Sequence, residues 1–127
     1  MTSHASFVWK KYVKPSRFKN LFIVAHSAGG ACLAHIQKKY ENEFYDRVSK
    51  IALTDSWTID SDKLNPSQKQ FMLENCVHFV ASDQPVGTLL SKKKGSKVCE
   101  EKSAGHPKHE YTTGYAHDEI YKLFGLN

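Results

Sequence analysis

The stretch Leu21-Phe22-Ile23-Val24-Ala25-His26-Ser27-Ala28-Gly29-Gly30 sets the strongest limit on what this chain can fold into. Five consecutive apolar residues, mostly β-branched or aromatic, suit a strand buried on both faces. Small residues stand two positions before and two after Ser27, namely Ala25 and Gly29. Ala31, Cys32, Leu33, Ala34, Ile36 and Tyr40 then recur at helical spacing. Strand, sharp turn bearing a serine, helix is the order of a nucleophile elbow, whose usual pattern is G-x-S-x-G. A serine at so tight a bend is strained, and only small side chains fit on either side of it. Here Ala25 replaces the first glycine and keeps the small size. Gly30 lets the following helix lie close to the sheet.

The rest of the chain supports an alternation of helices and strands. Ser3 to Val13 reads as a short helix, capped by Ser3 or Ser6, with Phe7, Val8, Trp9 and Tyr12 on its buried side and Pro15 after its end. The elbow helix is expected from Ala28 to about Tyr40, with a possible extension toward Phe44. Lys50 to Thr54 reads as a second strand, ending in Asp55-Ser56. Asn65-Pro66-Ser67-Gln68 combines an N-cap, a proline at the first helical position and a glutamine at the third, a strong helix start. Cys76 to Ala81 is a third strand, ending in Ser82-Asp83. Gln84 to Lys102 looks like a loop, with a short extended piece near Val98-Cys99. A helix over His117 to Phe124 closes the chain, with Gly125 as its stop. The expected fold class is α/β: three to four mostly parallel strands flanked by helices, in a single domain over residues 1–127.

Acyl transfer by a serine needs a histidine base, a carboxylate that fixes the base's tautomer, and backbone N–H donors for the developing oxyanion. In α/β-hydrolases these come in the chain order serine, acid, histidine. Ser27, then Asp55 or Asp83, then His109 gives that order, and the serine and both acids follow strand ends, where open α/β sheets place their sites. Strand counting favours Asp83 as the acid, with Asp55 as the alternative. His109 is preferred to His106, which stands directly before Pro107. The amide of Ala28 is the candidate oxyanion donor. A second donor normally comes from a loop upstream of the elbow strand, and only about twenty residues precede that strand.

Composition narrows the remaining classes. No apolar run approaches the roughly 20 residues of a membrane span, and Met1-Thr2-Ser3-His4 opens no secretory signal, so the protein is not expected to be secreted. Cys32, Cys76 and Cys99, odd in number and widely spaced, read as reduced thiols. A net charge of +5 permits acidic partners without requiring them. The lysine run from Lys92 to Lys97 reads as a solvated loop, and with no aromatic platform beside it direct nucleic-acid binding is not expected. His106, His109 and Cys99 match no standard zinc spacing, and no phosphate-binding glycine loop is present, so neither metal nor cofactor is expected.

Several stretches taken together carry a family resemblance. Val24-Ala25-His26-Ser27-Ala28-Gly29-Gly30, Ile51-Ala52-Leu53-Thr54-Asp55-Ser56, Glu74-Asn75-Cys76 with Val80-Ala81-Ser82, and Ser103-Ala104-Gly105 with Lys108-His109-Glu110 resemble the Argonaute-binding protein 2 domain family. Its relatives include the cotranscriptional regulators called "family with sequence similarity 172". The match runs over most of the chain and looks like the C-terminal part of such a domain, as in a truncated paralogue. The resemblance implies a partial α/β-hydrolase-like fold and favours nuclear residence, with cytoplasmic residence as the alternative. It also implies partnership with Argonaute and with chromatin or splicing proteins in RNA-linked silencing. It carries Ser27, Asp55 and His109 into matching motifs, which raises Asp55 as the acid. Trp57-Thr58-Ile59 departs from the family pattern. The expected function is a non-catalytic or weakly catalytic hydrolase-fold regulator, with a serine esterase using Ser27 as the alternative.

Overall fold

In the computed structural model, residues 1–90 and 98–126 are described. The expected lysine loop, Lys92 to Lys97, lies outside them. Four strands, β1 (Leu21–His26), β2 (Val48–Thr54), β3 (Cys76–Val80) and β4 (Glu100–Ser103), form one sheet in the spatial order β1-β2-β3-β4. All three pairings are parallel. The architecture is α/β, as the alternation of strand and helix patterns implies.

The period-2 alternation of a strand assigns its residues to two faces. Ile51 and Leu53 of β2 join Leu33, Phe44, Met72 and Trp9 in one buried cluster. Ala52 between them points the other way, to Phe79, Ala104, Ala116 and Ile120. The first face is covered by α2 (Gly29–Lys39), α3 (Glu41–Arg47) and α4 (Pro66–Asn75). The second is covered by the C-terminal helices α5 (Thr112–Tyr115) and α6 (His117–Phe124).

Local chemistry places most of these boundaries. Asn65 accepts from the Gln68 amide at 2.8 Å while the Gln68 side chain accepts from the Asn65 amide at 3.0 Å, the reciprocal pair that starts α4. Gly125 adopts φ +72° and ends α6, with the Leu126 amide donating to the Tyr121 carbonyl at 2.9 Å. The elbow helix is shorter than the pattern suggests. Tyr40 leaves helical geometry at φ −115°, ψ 43°, and a separate α3 follows.

Three expectations need correction. The N-terminal helix α1 (Thr2–Val8) continues through a widened, π-type turn over Trp9–Val13. Its buried side is Ser6 and Trp9, not Phe7 and Tyr12, which are exposed. Ser6 does not cap the helix: its hydroxyl lies 3.0 Å from the Tyr40 hydroxyl and accepts from Lys39 Nζ at 2.9 Å. The fourth strand is Glu100–Ser103, within and just beyond the span read as a loop. Its charged residues have low strand propensity, and long-range pairing with β3 overrides that preference.

Candidate functional site

Neighbouring strands β1 and β2 are each followed directly by a residue with left-handed backbone. Ser27 has φ +54° and Asp55 has φ +43°, the two non-glycine positive-φ residues among those described. The Ser27 amide still donates to the Thr54 carbonyl at 3.3 Å, and the Asp55 amide to the Phe79 carbonyl at 2.8 Å. Each residue is therefore the last held by its ladder before the chain bends away.

The bend at Ser27 is braced through its carbonyl. That oxygen accepts from Ser56 Oγ at 2.8 Å, the Trp57 amide at 3.1 Å and the Gly30 amide at 3.3 Å. The loop after β2 thus crosses directly over the start of α2. Gly30 makes the crossing possible: a Cβ there would stand 1.8 Å from the Trp57 carbonyl oxygen and 2.4 Å from Ser56 Oγ. Ala28 caps α2 in helical geometry, so its amide belongs to the unsatisfied N-terminal turn.

The Asp55 side chain collects partners from distant parts of the chain. Its Oδ2 accepts from His109 Nδ1 at 2.5 Å, and its Oδ1 accepts from the Ala81 amide at 3.3 Å. Burial pushes the carboxyl up. The His109 and Ala81 hydrogen bonds, with the nearby imidazoles of His109 and His78, outweigh it and hold the group below the usual aspartate range. A His109 ring that donates Nδ1–H to Asp55 turns Nε2 away from the carboxylate. Asp83 is exposed and instead accepts from its neighbour Gln84 at 3.5 Å. His106 also faces away: its Nδ1 accepts from the Lys108 amide at 3.0 Å and its ring packs on Tyr111 and Tyr115.

The geometry also recruits residues that the motif reading did not weigh. The His26 ring lies against His109, with centroids 4.5 Å apart. His26 Nδ1 donates to the Thr54 carbonyl at 2.8 Å, and Thr54 Oγ1 lies 2.6 Å from Thr113 Oγ1. His78 Nε2 accepts from the Ser56 amide at 3.0 Å, steadying the turn after Asp55. Only the position of His26 beside Ser27 offered a sequence signal for any of these. Ser27 Oγ, by contrast, makes no hydrogen bond among the described residues. Also among the described residues, no group of three or more His, Cys, Asp or Glu side chains is placed to hold a metal ion. No helix there is long and apolar enough to cross a membrane.

A parallel α/β sheet with a serine and an aspartate on adjacent strained strand tips, and a histidine returned from the C-terminal segment, defines the structural class. The Arb2 domain matches residues 1–86, and the chain belongs to that family. It is 33% identical over 125 residues to "Cotranscriptional regulator ARB2A homolog" of Gallus gallus, covering 95% of this chain and 29% of that protein. It is 31% identical to "Cotranscriptional regulator ARB2A" of Homo sapiens, over 95% of this chain and 29% of that one. The Dictyostelium discoideum homolog is 34% identical, over 95% of this chain and 32% of its own length. The chain therefore spans less than a third of the length of each of these three relatives. No solved structure matches it.

Proposed function

We propose that this chain acts as a regulator of RNA-linked gene expression through binding, and that its strand-tip site is a hydrolase-type constellation held for shape rather than turnover. The observation carrying this reading is the state of Ser27: its hydroxyl is not bonded to His109, whose ring is packed on His26. Two grooves support it. One of about 470 Å³ lies between α2 and the 57–64 loop, the other of about 450 Å³ beside β1, and neither is lined by Ser27, Asp55 or His109. The relatives' names place them in cotranscriptional regulation, which supports a nuclear setting; Argonaute and chromatin or splicing proteins are proposed as partners on the family resemblance. A fluorophosphonate probe tests the inactive site. No labelling is expected under conditions that label a reference serine hydrolase, and labelling abolished by Ser27→Ala would overturn it. Pull-down with Argonaute and splicing factors tests the binding role, which fails if neither is enriched over a scrambled-sequence control.

The Asp55–His109 pair favours one second reading, a serine ester hydrolase. There His109 Nε2 takes the Ser27 hydroxyl proton as Oγ attacks an acyl carbon, Asp55 holds the imidazolium, and the Ala28 amide faces the oxyanion. The same labelling experiment separates the two readings.

A further inference from the structure

Two of the three cysteines meet where β3 and β4 begin. Val77 is the parallel partner of Glu100, so strand geometry sets the residues one step back, Cys76 and Cys99, side by side. Neighbouring strands lie about 4.8 Å apart, within the roughly 4.4–6.8 Å between α-carbons that a disulfide spans. Both side chains enter the buried cluster that holds Ile51 and Met72, so they share one face of the sheet. Their thiols are hydrogen-bonded to each other. The backbone under Cys76 is held on both sides: α4 passes into β3 without a loop, and Ile51 of β2 is its partner across the sheet.

The two sulfurs are not equivalent. Cys99 lines a cavity of about 300 Å³ with Ser56, His78 and Glu101, and Cys76 is not among its walls. A volume of that size holds several water-sized molecules, so a small oxidant fits beside Cys99. The hydrogen bond with Cys99 and burial push the Cys76 thiol up, which keeps it protonated. Cys99 is therefore the sulfur that meets an oxidant first, and Cys76 the one that answers it. Cys32 lies on α2 beside β1, on the other side of β2 from the pair.

We propose that Cys76 and Cys99 are a reversible oxidation site, a dithiol that a hydroperoxide closes into a disulfide. The Cys99 sulfur, its proton lost to solvent, attacks one peroxide oxygen and breaks the O–O bond. The departing oxygen takes a proton and leaves as an alcohol, or as water from hydrogen peroxide, and Cys99 becomes a sulfenic acid. The Cys76 sulfur then attacks the Cys99 sulfur and forms the S–S bond. Its proton leaves with the sulfenic hydroxyl as water. The two thiols lose two electrons and the peroxide gains them. A thiol reductant reopens the bond through a mixed disulfide. Closed, the bond ties the base of β4 to β3, and β4 leads on to the segment that carries His109. The proposal stands whether or not Ser27 reacts.

Hydrogen peroxide added to the reduced, folded full chain tests it. The expected product has lost the mass of two hydrogens, and peptide mapping finds Cys76 joined to Cys99. Dithiothreitol should reverse it. In concentrated urea the same oxidant should also draw Cys32 into its pairings, because the strand register is gone. The oxidised chain should show a urea midpoint higher by roughly 1–2 M, since the bond closes residues 77–98 into a loop in the unfolded state. Cys32→Ala should cross-link as the unaltered chain does, and Cys99→Ser should leave Cys76 a thiol. Mapping of the unaltered chain decides even where Cys99→Ser fails to fold. A folded-state disulfide that uses Cys32 or links two chains, a sulfinic acid with no cross-link, or no reaction with peroxide overturns the proposal. So does a cross-linked chain whose urea midpoint does not rise, because the bond would then form at the expense of the native strands.

Discussion

The tips of β1 and β2 stand side by side, bend alike and are treated in opposite ways. Both carry a non-glycine residue in the left-handed region, a conformation that costs of order 1–3 kcal/mol unless the surroundings impose it. At Asp55 the cost is met locally: aspartate tolerates this region better than most residues, and its carboxylate gains His109 and the Ala81 amide. At Ser27 the backbone is braced by Ser56, Trp57 and Gly30 while the hydroxyl gains nothing. A strained turn that returns no bond to its own side chain is the kind of outlier that points from structure to a functional hypothesis. The lesson is that one tip explains itself through stability and the other does not.

The largest test of this contrast removes the contact that holds the two tips together. Gly30→Ala drives a Cβ into the Trp57 carbonyl and Ser56 Oγ, neither of which can yield without moving both loops. A loss of about 3 kcal/mol or more is expected, read as a fall in the urea midpoint or failure to fold. Gly29→Ala is the control: its Cβ would meet Ala25 Cβ at an ordinary 3.6 Å, and the variant should fold normally.

A middle-sized effect isolates the Asp55 tip. Asp55→Asn keeps a residue that tolerates the backbone but gives up the charge, and at this half-exposed pair about 1 kcal/mol should be lost at pH 7. The pH dependence carries the sign. The folded carboxyl titrates below its unfolded value, near 3.9, so the native state binds fewer protons through that range. Asp55 thus adds stability above about pH 4 and surrenders it as pH falls through the lower, folded value. Denaturation of both proteins from pH 7 to pH 2 should show their difference shrinking on the acid side. A constant gap would mean that the carboxylate's charge has no part in holding His109.

The smallest effect belongs to Ser27. Ser27→Gly relieves the positive φ and should raise stability by roughly 0.5 kcal/mol. Ser27→Ala keeps the strain, loses an unbonded hydroxyl and should be near neutral. Thermal melts of the three proteins decide it, and a clear destabilisation by Ser27→Ala would reveal a structural role for Oγ and dissolve the contrast between the tips.

Much of the architecture was legible because it is written locally. The apolar run into Ser27, the Asn65–Gln68 capping pair and the Gly125 stop each fix an element within a few residues. The site was only partly legible. Ser27, Asp55, Asp83 and His109 could be put in order, but strand counting and family resemblance favoured different acids. His26 was marked only by its place beside Ser27 and Thr113 by nothing, since their partners lie 28 and 59 residues away, both at Thr54.

The sequence by itself determined the alternation of strand and helix and the sharp turn at Ser27, because hydrophobic period, cap chemistry and small-residue spacing act over one or two turns of chain. The tertiary structure alone decided that Asp55 rather than Asp83 meets His109, that Glu100–Ser103 joins the sheet, and that the four described strands line up in the order β1-β2-β3-β4. Those outcomes depend on which distant segments come together, and loop closure over tens of residues leaves no periodic trace in the intervening chain.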